Sequence, residues 1–210
     1  MTFIQESDMR ERARRRTKSQ GLGITDALKQ IANKKLARYD IFLSQTIRDA
    51  EIVLGVVDLL TEKGYTVFCD WLEAPEIDRG EVTPANAAFV RKMMSLSETL
   101  LFLDTENADQ SLWMCWELGW FDGNNGRVAV LPVLIDGNNN YRSREFLGLY
   151  PYVELDQNGK LKVIRPIVTG PTGITIIEAP NYRSFDNWRK DSDPINSMIP
   201  RSSGVWRPLD

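Results

Sequence analysis

Residues 99–135 read TLLFLDTENADQSLWMCWELGWFDGNNGRVAVLPVLI. Two nearly apolar runs, Thr99–Leu103 and Val128–Ile135, flank a longer amphipathic stretch that Asp109 or Ser111 can cap at its start. Short runs without polar residues are typical of central strands that are covered on both faces of a parallel sheet. A capped amphipathic stretch between two such runs is typical of a crossover helix. The segment therefore predicts a β-α-β unit.

The same alternation of short apolar runs and amphipathic stretches occurs upstream. Tyr39–Ser44 and Thr66–Cys69 predict strands, and Asp49–Lys63 predicts a helix that Gly64 ends as a C′ glycine. Thr83-Pro84 places a cap residue before a proline at the first helical position, which indicates the start of another helix. We therefore expect an α/β fold with a doubly wound parallel sheet and helices on both faces, with ligands bound at the carboxyl ends of the strands.

The first 38 residues are locally basic and predict a helical N-terminal arm. Residues 7–19, SDMRERARRRTKS, are typical of a highly charged helix, and the glycines of Gly21-Leu22-Gly23 interrupt it. A second helix with a capped start is expected from Thr25 to about Leu36. We expect a solvated lid or assembly arm rather than a specific anion site, because most charge runs only face water.

The chain after Asp136 has a weaker periodicity. Tyr150–Leu155 and Lys160–Arg165 alternate enough to predict a hairpin, and the last twenty residues resemble a tail wrapped over the surface. The predicted division is an arm in 1–38, a core in 39–136, and an extension in 137–210 that completes or covers the core.

Composition excludes several classes of partner. The 210 residues carry a formal net charge of −3, so nucleic acid is not an expected partner. Apolar runs fall short of the roughly 20 residues that span a bilayer, and no membrane contact is expected. Cys69 and Cys115 lie far apart and form no CxxC pair, which favours a reducing cytoplasm over a disulfide framework.

The chain contains no histidine. Its absence excludes Ser-His-Asp triads, Cys-His pairs and HExxH metal sites, so catalysis would depend on carboxylates, hydroxyls, Lys, Tyr or Cys. The carboxylates between Asp70 and Asp78 are expected to be solvated. We expect neither a metal nor a cofactor.

The segment SLWMCWELGWFDG, residues 111–123, contains the best candidate for chemistry. On a helix Trp113 and Glu117 lie one turn apart on the same face, which places an aromatic ring beside a carboxylate. Such a carboxylate can bind ribose hydroxyls and stabilise positive charge at an anomeric carbon. Spacing alone also fits a packing role for Trp113, Trp116 and Trp120, with Glu117 as a cap or ion-pair residue.

Five segments follow the order of the Toll/interleukin-1 receptor (TIR) family. Tyr39–Ser44 resembles its first strand, Val67–Asp70 its second strand, and Ile77–Glu81 its BB loop. Met94–Leu103 resembles the helix end and the third strand, and Ser111–Leu118 is similar to the Ser-x-Trp-Cys-x-x-Glu-Leu block of NAD-consuming members. The resemblance implies a flavodoxin-like fold and cleavage of the nicotinamide–ribose bond of NAD, which is then a substrate and not a cofactor.

The resemblance also implies roles for individual residues. Glu117 would be the catalytic carboxylate, which we expect at an exposed rim. The residues that would bind the substrate are Ser44, Gln45, Arg48, Trp71 and Trp113. Arg48 could equally be a surface arginine, and Trp71 a packing or partner-contact residue. The BB loop, about 70–83, would contact a second protomer, so that activity would depend on self-association.

Two further features of the sequence concern the substrate site and the product. Asp104-Thr105 and Cys115 depart from the family pattern, which affects the fine geometry of the substrate site. The segment 146–151 and the hairpin after it resemble the extension of stand-alone bacterial TIR proteins in Thoeris-type antiphage systems. This likeness implies conversion of NAD to a cyclic or conjugated ADP-ribose messenger that an effector protein reads.

Two alternatives remain at this stage. Glu117-Leu118-Gly119 followed by Gly126-Arg127-Val128 is similar to the end of nucleoside 2-deoxyribosyltransferases, where a glutamate also acts at an anomeric carbon. The choice of substrate, nucleosides or NAD, distinguishes such an enzyme from an NAD-consuming TIR protein. A non-catalytic TIR scaffold that acts by homotypic contacts is the second, and the Trp113/Glu117 pair argues against it.

Overall fold

The computed structural model describes residues 2–33, 36–69, 83–108, 111–164 and 182–190. Its helices are α1 (Glu6–Gln20), α2 (Ile24–Ala32), α3 (Ala50–Glu62), α4 (Pro84–Ser95), α5 (Leu112–Asn124) and α6 (Phe185–Arg189). Its strands are β1 (Ile4–Gln5), β2 (Tyr39–Ser44), β3 (Val67–Cys69), β4 (Ser97–Asp104), β5 (Val128–Leu134), β6 (Tyr152–Leu155), β7 (Leu161–Ile164) and β8 (Tyr182–Ser184). Short 3-10 helices span Ile47–Asp49 and Glu145–Leu149.

The strands form one mixed sheet in the order β3-β2-β4-β5-β6-β7-β8, with β1 paired to β5. The strands from β3 to β6, and β1 with β5, are parallel, whereas β7 and β8 add antiparallel neighbours at one edge. The expected β-α-β unit of β4, α5 and β5 is present, and so is the β6–β7 hairpin. The predicted doubly wound α/β fold is confirmed.

Each face of the sheet packs against its own set of helices. One apolar cluster joins the sheet to α1, α2, α3 and α6, and a second joins the opposite face to α4, α5 and the segment after β5. Alternate residues of β4 serve the two clusters: Leu101 and Leu103 lie in the first, Leu100 and Phe102 in the second. The central strands are nearly all apolar because both faces are covered.

Local signals in the sequence start and end the helices as expected. Thr83 Oγ1 accepts a hydrogen bond from the Asn86 amide at 3.2 Å, and Ser111 Oγ accepts one from the Met114 amide at 3.4 Å. Gly64, just after α3, has a φ of +90°. That left-handed backbone favours glycine and ends the helix.

The N-terminal helix is not the solvated arm that its charge predicts. Met9 and Ala13 on α1 are fully buried in the first cluster. The helix lies so close to α3 that a Cβ on Gly55 would overlap the Met9 carbonyl. The second helix also differs from its prediction, because it begins at Ile24 without a side-chain cap and ends at Ala32. The division at residues 38 and 136 stays a prediction.

Three short elements were missed because two to five residues are too few to produce a periodic pattern. These are β1, β8 and α6. Arg189 of α6 donates hydrogen bonds to Asp40 at 2.7 Å and Glu98 at 2.6 Å, which fixes α6 near the amino ends of β2 and β4. The predicted tail lies outside the described residues. Within them, no helix is long and apolar enough to cross a membrane.

Candidate active site

The hydrogen bond between Ser44 and Glu117 joins the end of β2 to the middle of α5. Ser44 Oγ donates to Glu117 Oε2 at 2.6 Å, across 73 residues of sequence. Only 1% of Ser44 and 3% of Glu117 is exposed. The expectation of an exposed carboxylate is therefore wrong, because α5 turns this residue toward the sheet.

The packing of α5 explains why Glu117 points inward. Met114, Leu118 and Phe121 of α5 are buried in the second cluster, and Glu117 lies between them on the same helical face. Ser44 meets it because Ser44 shares the face of β2 that carries Phe42 in that cluster. Burying a carboxylate costs free energy even when it is hydrogen-bonded, so the buried Glu117 beside the end of β2 is a functional candidate.

The tryptophans of α5 lie at the margin of the second cluster. Trp113, Trp116 and Trp120 are partly buried and pack against it. The rings of Trp113 and Trp116 lie 4.9 Å apart at 31°, and Arg91 lies over the Trp116 ring at 5.9 Å. Packing therefore explains part of the role of these three tryptophans. Trp113 is half-buried and lies one turn before Glu117.

A second buried polar cluster lies beside the first, where α3 begins. Asp49 is 4% exposed. It accepts hydrogen bonds from Thr105 Oγ1 at 2.5 Å and from Asn107 Nδ2 at 2.8 Å. This contact ties the segment after β2 to the segment after β4.

A third cluster surrounds Asp104, the last residue of β4. The Tyr141 hydroxyl donates to Asp104 Oδ2 at 2.9 Å, and Arg144 donates to Asp104 Oδ1 and, at 2.8 Å, to the Thr105 carbonyl. Burial, together with the negative charge of Asp104, raises the pKa of Tyr141 far above its usual value. Tyr141 therefore stays protonated and acts as a donor at all physiological pH values.

The remaining residues of the predicted site occupy different environments. Gln45 is buried directly after β2, next to the Ser44–Glu117 pair. Arg48 is exposed on the 3-10 helix that Thr46 caps. Trp71 lies outside the described residues. The structure thus brings Ser44, Gln45 and Glu117 together and leaves Arg48 at the surface nearby.

Several residues of this rim were not singled out as site residues. These are Asp49, Asp104, Thr105, Tyr141 and Arg144. A polar residue directly after a buried strand is a usable signal for Asp104 and Thr105, which lie at the carboxyl edge where ligands bind. Asp49 matches an ordinary helix start, and no pattern marks Tyr141 or Arg144.

Within the described residues, no group of three or more Cys, Asp and Glu side chains is arranged to hold a metal ion.

Two curated proteins are similar to this chain. It is 46% identical over 116 residues to the "Probable 3' cyclic ADP-D-ribose synthase ThsB'" of Bacillus cereus (strain MSX-D12), which covers 55% of this chain and 60% of that protein. It is 26% identical over 91 residues to the "Putative cyclic ADP-D-ribose synthase TIR2" of Cytobacillus dafuensis, which covers 43% of this chain and 24% of that protein. No family model matches the chain.

The matched region thus spans 60% of the length of the first relative and 24% of the length of the second. The two matches and the α/β fold confirm the resemblance to the TIR family that the strand and helix motifs predicted.

Proposed function

We propose that this chain, a relative of two bacterial proteins named as cyclic ADP-D-ribose synthases, breaks the nicotinamide–ribose bond of NAD and closes the product into a cyclic ADP-ribose. The observation that carries the proposal is the Glu117 carboxylate, buried at the carboxyl edge of the sheet and held by Ser44. The relatives' names favour cyclisation over simple hydrolysis.

The chemistry needs a fixed carboxylate more than a proton donor. When the bond between the anomeric carbon and the nicotinamide nitrogen breaks, both electrons leave with nicotinamide, which becomes neutral, so no strong general acid is required. Positive charge develops on the ribose ring. The Glu117 carboxylate stabilises that charge, and its burial strengthens the interaction because little water screens it.

The closing step is an attack on the same carbon by a nucleophile of the ADP-ribose itself. A new bond forms at the anomeric carbon, and the attacking group loses its proton if it is a hydroxyl. Water that reached the carbon first would give linear ADP-ribose instead. Cyclisation therefore requires that the substrate be folded within the site.

The other predicted residues take supporting roles. Ser44 fixes the orientation of the Glu117 carboxylate by its hydrogen bond. Trp113 shapes the pocket one turn away, and Gln45 and Arg48 line the rim where the ribose and phosphates lie. Trp71 stacks on a base. NAD acts as the substrate, without any cofactor or metal.

The biological setting follows from the same proposal. The protein self-associates through the segment of about 70–83, and assembly promotes activity. Its diffusible product is read by an effector protein in cytoplasmic antiphage defence. Neither nucleic acid nor a membrane takes part.

The test is to incubate purified protein with NAD, alone and with a crowding agent that promotes assembly, and to separate the products by chromatography and mass spectrometry. We expect nicotinamide and a cyclic ADP-ribose in equal amounts. Glu117→Gln should lower nicotinamide release at least about 100-fold. Glu154→Gln is a matched control, because Glu154 is another buried glutamate and lies on β6, three strands from β2 in the sheet. It should retain activity.

Three results would contradict the proposal. Full activity of a folded Glu117→Gln protein would remove the proposed mechanism. Cleavage of nucleosides in preference to NAD would favour a deoxyribosyltransferase-like enzyme. No turnover at any degree of assembly would favour a scaffold.

A further inference from the structure

Asp104 lies on the same face of the sheet as the Ser44–Glu117 pair. Ser44 on β2 is paired in register with Phe102 on β4, and Asp104 lies two residues further along β4. Because side chains alternate along a strand, Asp104 shares the face of Phe102 and Ser44. The spacing of strands and residues puts the Cα atoms of Asp104 and Ser44 about 8 Å apart.

Arg144 is held at this position by groups that are themselves fixed. It donates to the Asp104 carboxylate and to the Thr105 carbonyl, while Tyr141 donates to the other carboxylate oxygen. The Asp104 side chain is 4% exposed and that of Arg144 is 40% exposed. A buried carboxylate thus orients a guanidinium that solvent, and therefore a ligand, can reach.

We propose that Arg144 binds the pyrophosphate of the dinucleotide, an inference that rests on the proposed function. The rim carries the carboxylates of Glu117, Asp49 and Asp104, which would repel the two negative charges of a pyrophosphate. A guanidinium matches phosphate oxygens in geometry and charge. Arg144 both neutralises Asp104 and presents a cation beside the ribose site.

The anchoring of Arg144 is what distinguishes it from Arg48. Arg48 is exposed on a 3-10 helix, and binding would have to order its long side chain. Arg144 is already oriented by Asp104, so less conformational entropy is lost when it meets a phosphate. Arg144 therefore contributes mainly to the affinity for the intact dinucleotide.

The experiment compares Arg144→Gln with wild type on NAD and on nicotinamide riboside, which has the same bond to break but no phosphate. We expect the KM for NAD to rise about tenfold to a hundredfold, because a charge-assisted hydrogen bond is lost. The kcat should change by less than about threefold, and kcat/KM for nicotinamide riboside should be unchanged. Arg142→Gln is the matched control, since Arg142 is an exposed arginine on the same segment, and its kinetics should equal those of wild type.

A double variant separates phosphate binding from a purely structural role. If Arg144 only neutralises Asp104, then Asp104→Asn should restore the KM of the Arg144→Gln protein. Under our proposal the double variant keeps the raised KM. Arg144→Lys, which retains the charge but not the fork of donors, should have an intermediate KM and serves if Arg144→Gln does not fold.

Binding of ADP-ribose, measured by calorimetry, keeps this inference distinct from the proposed function. Tenfold weaker binding to Arg144→Gln than to wild type supports the phosphate contact even if NAD is not cleaved. Equal binding overturns the inference while NAD cleavage by wild type stands. Restoration by Asp104→Asn, or an equal loss on nicotinamide riboside, also overturns it. A wild-type protein that neither binds ADP-ribose nor cleaves NAD overturns both.

Discussion

Two of the regions where charged side chains meet differ in burial and in pairing: the contact between α1 and α3, and the carboxyl ends of β2 and β4. Between the helices, arginines pair with carboxylates: Arg10 and Arg14 with Glu51, and Arg12 and Arg16 with Asp58. These side chains are between 20% and 72% exposed.

At the strand ends the carboxylates are almost completely buried, and neutral groups donate to two of them. Ser44 donates to Glu117, and Thr105 and Asn107 donate to Asp49. Exposed ion pairs contribute little to stability, whereas a buried carboxylate is costly to desolvate. The exposed ion pairs between α1 and α3 therefore belong to the packing of the fold. The buried carboxylates at the strand ends are less favourable for stability and are available for chemistry.

The largest effect on stability should come from the apolar contact that brings the two helices together. Gly55→Ala would place a methyl group against the Met9 carbonyl and push α1 away from α3. We expect the free energy of unfolding to fall by about 3 kcal/mol, measured by chemical denaturation.

Gly119→Ala is the matched control for that variant. Gly119 lies on the exposed side of α5, where nothing is within 4 Å of an added Cβ. It should raise stability by roughly 0.5–1 kcal/mol, because alanine favours the helix. Equal effects of the two substitutions would show that the close crossing of α1 and α3 does not matter.

A substitution at the carboxyl end of β2 should have an intermediate effect, and this effect should be on activity. Ser44→Ala removes the hydroxyl that donates to Glu117 Oε2. We expect nicotinamide release from NAD to fall about tenfold to a hundredfold, since the carboxylate loses its fixed orientation. Ser95→Ala, at the exposed end of α4, should leave the rate unchanged. A Ser44→Ala enzyme with the wild-type rate would separate Ser44 from the mechanism.

The smallest effect is expected from the ion pairs, and it should depend on pH. Burial raises the pKa of Glu51, but hydrogen bonds from Arg10 and Arg14 and their charges outweigh it and lower the pKa below 4.5. A lowered pKa means that Glu51 stabilises the fold above pH 4.5 and that this contribution is lost as the pH falls further.

Glu51→Gln should therefore lower the free energy of unfolding by at most about 1 kcal/mol at pH 7. The difference from wild type should shrink as the pH falls below about 4.5. Glu11→Gln is the control, because Glu11 is 69% exposed and lies 3.8 Å from Arg15. A pH-independent difference for Glu51→Gln would contradict the lowered pKa.

The sequence predicted the elements that are long enough to be periodic or that carry their own start and stop signals. β2, β4, α3, α4 and α5 appear close to their expected bounds. The short elements β1, β8 and α6 were missed because their positions depend on tertiary pairing, and α1 was mistaken for a solvated arm. Only two residues of that helix, Met9 and Ala13, are fully buried, and charged residues surround them.

The candidate site likewise combines residues that the sequence marked with contacts that only the fold makes. The sequence marked Glu117 by its spacing from Trp113, a spacing that also fits a packing role, and it was the resemblance to the TIR family that assigned Glu117 and Ser44 to the site. The sequence also determined that histidine chemistry is absent. Only the tertiary structure decided that the two side chains meet in a buried hydrogen bond, since that contact depends on how α5 packs against β2.

The tertiary structure also decided the surroundings of Asp104. Tyr141 and Arg144 reach it across 37 and 40 residues from a segment without regular periodicity. No local pattern can encode such a contact, because it depends on where the chain returns after β5. Periodicity and capping are properties of neighbouring residues, whereas a polar cluster at the edge of a sheet is a property of the packed fold.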